Sequence, residues 1–117
     1  MVSLEYHDRD PKDLDTGRIW REIAREWSPT VIDEKANFHA SWTHMPGYAA
    51  MYATYTISRA IAEDLSSAFT GGLLNVQLAR RYRDVVLGQG GLKPALTLVE
   101  EFLGRPHDLN AFRAWLG

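Results

Sequence analysis

Residues 47–69 read GYAAMYATYTISRAIAEDLSSAF. Between Tyr48 and Ala62 the only charged side chain is Arg59. Gly71-Gly72 stands just beyond the stretch as a stop. The spacing predicts one long helix over about 47–69. A helix with so little polar surface is normally buried on most of its sides. It is therefore read as the mostly buried centre of an all-α fold of four to five helices.

The flanks support that class. Upstream, Asp15 or Thr16 is a suitable cap for a helix with Ile19, Trp20, Ile23 and Trp27 on one face, ended by Ser28-Pro29. Before it, VSLEY is β-leaning and isolated, so it reads as an extended lead-in, and DRDPKDLD reads as a polar loop. Residues 30 to 46 show no sustained period, with Phe38 and Trp42 as anchors of a loop. Downstream, Asn75 is placed to cap a helix carrying Leu78, Ala79, Tyr82, Val85 and Val86 on one face, ended by GQGG. Pro94 suits the first turn of a helix with Leu98, Val99 and Phe102, closed by Gly104. Asp108 is placed to cap a last short helix with Phe112, Trp115 and Leu116.

The 117 residues suffice for one helical domain, 1–117. With 45% hydrophobic and 24% charged residues, the composition is that of a globular protein. A net charge of -2 gives no basic footprint, which argues against a nucleic-acid partner. The chain has no cysteine, so disulfides, thiolate catalysis and cysteine-bound zinc are excluded. No apolar run approaches the length of a membrane span, so no membrane partner is expected. The start, MVSLEYHDRD, lacks the basic and apolar regions of a signal peptide, and the cytoplasm is the expected location.

On a straight helix, Tyr48, Tyr52, Tyr55 and Arg59 fall within a stripe about 60° wide. Four hydrogen-bonding side chains then share one face of an otherwise apolar helix. His44 stands one turn upstream, and Pro46-Gly47 between them interrupts regular helix, with Gly47 free to adopt unusual backbone angles. A buried phenol needs a partner for its hydroxyl, and stacked phenols are suited to offering donors to a peptide carbonyl or an oxyanion. The same spacing is equally that of a packing stripe. Spacing does not separate the two readings.

Similarity goes further. FHASWTHMPGYAAMYATYTISRAIAEDLSSAF, then GGLLNVQLARRYRDVVLGQGGLKPALTLVEEFLGRPHDLNAF, resembles the C-terminal part of the thimet-oligopeptidase and peptidyl-dipeptidase family of zinc metallopeptidases. The most specific pieces are His-x-x-Gly-Tyr, Ala-x-Tyr-x-x-Tyr and Ala-x-Asp-Leu, followed by YRDVVLGQGG and EFLGRP. The resemblance runs from about Leu4 to the end, and implies that the chain is a piece of a larger, largely helical catalytic domain that cuts short peptides. In that family zinc is held by the two histidines of His-Glu-x-x-His and a later glutamate, and the motif's own glutamate activates the attacking water. The C-terminal segment faces the metal across the substrate. Carried over, Tyr55 is the phenol that donates to the tetrahedral oxyanion. His44 and Tyr48 hold the substrate backbone, Gly47 keeps the turn open, and Tyr52 lies beside them. The resemblance thus makes Tyr55 and His44 the catalytic candidates, and Tyr48, Gly47 and Tyr52 the substrate-binding ones.

This chain has no His-Glu-x-x-His. Its histidines are His7, His39, His44 and His107, and no pair has the spacing of that motif. No metal ligand and no cofactor is therefore expected within the chain, while zinc is implied for the intact enzyme. The neighbouring carboxylates Glu63-Asp64 and Glu100-Glu101, and the cluster Arg80, Arg81 and Arg83, read as solvated faces. The expected function is the substrate-binding and transition-state-stabilising segment of a zinc oligopeptidase, with short peptides and a separate His-Glu-x-x-His segment as partners. The alternatives are a non-catalytic helical domain that binds peptides or a protein, and a split enzyme with its zinc lobe on another chain. Since the other helices are too short to cover the central one, the isolated chain is expected to form a homo-oligomer through its tyrosine face.

Overall fold

Short polar caps set the starts of two of the longer helices. A computed structural model describes residues 1–117. It is all-α, with no strand, as the sequence predicts. The helices are α1 (Val2–His7), α2 (Thr16–Trp27), α3 (Phe38–Ser41), α4 (Met45–Tyr48), α5 (Thr54–Ser67), α6 (Val76–Val85), α7 (Ala95–Leu103) and α8 (Asn110–Leu116). The side chain of Asp15 accepts from the Arg18 N–H at 2.9 Å and starts α2. Asn75 accepts from the Leu78 N–H at 3.1 Å and starts α6. Gly104 ends α7 in the left-handed region, φ 72°, where a Cβ would be strained. No helix is long and apolar enough to cross a membrane.

The chain divides into two compact units, Met1–Tyr55 and Thr56–Gly117. In the first, Ile19 and Ser3 are buried, and a run of aromatic rings links the elements. Trp20 stacks on Phe38 at 5.6 Å, Phe38 meets Trp42 at 5.6 Å, and Trp42 meets Tyr52 edge-on at 4.6 Å. Phe38 and Trp42 are thus the anchors expected of the 30–46 segment. In the second unit, Ala60, Leu98, Val99 and Phe102 are buried. Phe69, Tyr82 and Phe102 form an aromatic triangle with centroids 5.4–6.3 Å apart.

Several local expectations differ from the structure. Residues 30–46, read as a loop, contain α3 and the start of α4, and the N-cap position of α8 is Leu109, without a side-chain cap, rather than Asp108. VSLEY is helical rather than extended. Its β-leaning residues are overridden by tertiary bonds: the buried Ser3 hydroxyl donates to the Ala49 carbonyl at 3.1 Å, and Tyr6 donates to the Thr16 carbonyl at 2.6 Å. The stretch 47–69 is helical throughout most of its length but not one helix. α4 ends at Tyr48, a 3-10 segment spans Ala49–Ala53, and α5 begins at Thr54. The break is at Ala49, whose φ of 47° and ψ of -131° cannot continue a right-handed helix. Within α5 only Ala60 and Asp64 are buried, so the chain itself supplies little of the cover that an uncharged helix calls for.

Candidate active site

The broken helix still gathers the tyrosines. α4 is opened by His44, whose carbonyl accepts from the Tyr48 N–H at 2.9 Å. That turn brings the imidazole to 5.8 Å from the Tyr48 ring, 5.9 Å from Tyr52 and 6.4 Å from Tyr55, centroid to centroid. Tyr55 in turn lies 5.9 Å from Tyr48 and 5.2 Å from Tyr52. A 3-10 segment turns more tightly than an α-helix. The shared face expected of an ideal helix therefore survives as a cluster, reached by a different backbone path.

The cluster is open on one side. Tyr55 is 52% exposed and Tyr48 43%, whereas Tyr52 is half-buried against Trp42. Hydrogen bonding to the Tyr48 side chain, then desolvation, then the charges that Tyr48 and Tyr52 would carry, hold the Tyr55 phenol above its ordinary value. It is accordingly a firmly protonated donor at neutral pH. Gly47 lies inside the α4 turn and is not among the positive-φ residues. Its expected conformational freedom is not used; the left-handed residue of this turn is Ala49. What Gly47 does provide is room, because a Cβ there would meet nothing within 4 Å.

Arg59, expected on the tyrosine stripe, pairs with Glu63 and lies over the Trp115 ring at 4.5 Å. Sequence reasoning also missed Asp64. It was expected to be solvated, but it is fully buried and bonded to Arg105, His107 and the Asp108 N–H. Its partners lie more than 40 residues away, and the only local sign was its place on a helix with little other charge. Ser3, which holds the Ala49 carbonyl, carried no sequence signal at all.

The donor set does not suit zinc. No three His, Asp or Glu side chains come together in a way that would hold a metal ion. The His44 ring is engaged by tyrosines, and the buried Nδ1 of His39 has no hydrogen-bond partner. What the cluster does offer is a wall of hydrogen-bonding side chains, three phenols and an imidazole, with Tyr48 and Tyr55 open to solvent.

The whole chain, residues 1–117, matches the sequence profile described as Peptidase family M3. The chain belongs to peptidase family M3. It is 28% identical to a thimet-like oligopeptidase of Dictyostelium discoideum over 95% of its length and 17% of the relative's. It is 31% identical to a mitochondrial intermediate peptidase of Aspergillus clavatus, over 95% of this chain and 15% of that one. A human mitochondrial intermediate peptidase is 26% identical over 92% of this chain and 15% of its own length. This M3 segment thus spans about one-sixth of the curated relatives that it matches. His44, Gly47, Tyr48, Tyr52 and Tyr55 all lie inside the matched residues.

Proposed function

We propose that this M3 segment supplies the substrate-binding and oxyanion-stabilising wall of a zinc-dependent oligopeptidase that hydrolyses short peptides. The observation that carries the reading is the convergence of His44, Tyr48, Tyr52 and Tyr55, spread over twelve residues and a helix break, onto one cluster. In amide hydrolysis, water adds to the carbonyl carbon and negative charge develops on the carbonyl oxygen. A neutral phenol aimed at that oxygen strengthens its hydrogen bond as the charge grows, so it favours the transition state over the bound substrate. Tyr55 takes this role. His44 and Tyr48 hold the peptide backbone, and the open space at Gly47 lets that backbone approach. Tyr52, wedged against Trp42, sets the spacing of the other two phenols.

Zinc and the water-activating glutamate of such an enzyme do not come from these residues, whose donors do not fit a metal. They belong to a His-Glu-x-x-His segment outside the 117 residues, and the small share of each relative's length that is matched supports this. The cytoplasm remains the proposed location. The test compares the 117-residue chain with the intact protein. After dialysis the chain alone should hold no stoichiometric zinc and should not cleave a quenched fluorescent peptide, whereas the intact protein should do both. Stoichiometric zinc with chelator-sensitive cleavage by the chain alone would sink the proposal.

A further inference from the structure

The side chain of Asp64 is the largest wholly buried side chain in the protein, and it is a carboxylate. Both of its oxygens are engaged. Oδ1 accepts from Arg105 Nη2. Oδ2 accepts from Arg105 Nη1 at 3.3 Å, His107 Nδ1 at 2.7 Å and the Asp108 N–H at 3.0 Å. Arg105 Nη1 also donates to the Pro106 carbonyl at 2.9 Å and to Asp108 Oδ2 at 3.2 Å. One carboxylate thus gathers the 105–108 segment between α7 and α8 onto the middle of α5. Ala60 is the only other buried residue of α5, and Arg59 adds a contact over the Trp115 ring at 4.5 Å. The Arg59–Glu63 pair joins two residues of α5 to each other, so it does not tie the helix to another segment.

We infer that Asp64 is a positioning residue for the oxyanion donor: through its bonds to Arg105, His107 and Asp108 it fixes the axis and rotation of α5, the helix that carries Tyr55 in its first turn. The inference rests on the proposed role of Tyr55. Asp64 lies nine residues further along, about 13.5 Å down the axis and half a turn around. It therefore touches no reacting atom and acts only through the helix. Rotation or slippage of α5 moves the phenol oxygen, and a misplacement of about 1 Å can cost on the order of 10²-fold in rate.

The experiment is a double-mutant cycle in the intact enzyme, read as kcat and KM well below the unfolding temperature. Asp64→Asn keeps the volume, removes the charge and places an amide N–H₂ against Arg105. It should lower kcat roughly tenfold or more with little change in KM. In a Tyr55→Phe background the same substitution should have almost no further effect, because the donor it positions is already gone. His107→Phe removes one donor and leaves the Arg105 and Asp108 bonds; it should show a smaller loss with the same dependence on Tyr55, and it serves if Asp64→Asn does not fold. A fall in thermal stability with unchanged kcat makes Asp64 merely structural and overturns the inference. So does a loss of kcat that multiplies with that of Tyr55→Phe. A silent Tyr55→Phe defeats the role of Tyr55, a separate failure that takes the inference with it.

Discussion

Tyr55 differs from phenylalanine by one oxygen, and that oxygen carries the proposed chemistry. Tyr55→Phe preserves the ring contacts with Tyr48 and Tyr52 at 5.9 and 5.2 Å while deleting the donor. In the intact enzyme kcat should fall about 10²–10³-fold with KM nearly unchanged. Tyr82→Phe is the control. Tyr82 packs its ring against Phe69 and Phe102, so loss of its hydroxyl should leave turnover alone. Equal losses in the two variants would reduce the tyrosine stripe to packing. The raised value of Tyr55 adds a pH signature: an acid held above its ordinary value near 10 keeps its proton further into the alkaline range. The Tyr55-dependent part of kcat should therefore persist to pH 10 and be lost only above it. Ala49 makes a second residue-scale prediction. Its positive φ strains a Cβ, so Ala49→Gly should raise stability by about 1 kcal/mol in urea unfolding. A decrease would mean that the Ser3 bond to its carbonyl depends on the alanine. The candidate residues themselves were legible in the sequence, because a motif is local. The strain at Ala49 was not, since alanine is the best helix former and nothing nearby announces Ser3.

Elements were legible where their ends are set by neighbours. Asp15, Asn75 and Gly104 each satisfy or terminate a helix within three or four residues of themselves, and each works as expected. The helix α1 and the break between α4 and α5 depend on bonds spanning 10 and 46 residues, which no local window contains. The tie between α5 and the 105–108 segment is of the same long-range kind, and it makes the fold sensitive to acid. Burial pushes the Asp64 carboxyl up, but hydrogen bonds from Arg105, the Asp108 N–H and His107 outweigh it, and the group ends below its ordinary value. A carboxyl depressed in the folded state contributes stability that is fully present above its unfolded value, near 3.9, and is lost as pH falls through the folded one. Urea midpoints should therefore drop as pH is lowered below about 4. Asp64→Asn should be less stable at pH 7 and should show a shallower drop in acid. An acid limb of equal depth in wild type and variant would place the titration on other carboxyls.

At the scale of the whole molecule, many large apolar side chains are open to solvent. Leu74 is 94% exposed and Leu92 82%, and Tyr48, Met51, Tyr55, Ile57, Leu73 and Val76 are also open. Large apolar surface of this kind is normally covered by a partner. In the intact protein, the proposal assigns that cover to the segment bearing the zinc ligands. For the isolated chain the expected partner is another copy, related by a two-fold axis and meeting through the tyrosine face. Light scattering behind a sizing column should give a mass above 13.3 kDa that rises with loading concentration, and a dye that fluoresces on apolar surface should bind and then be displaced as the assembly grows. A concentration-independent monomer that binds no dye would mean that these helices close on themselves in solution, and the need for a covering segment would go with it.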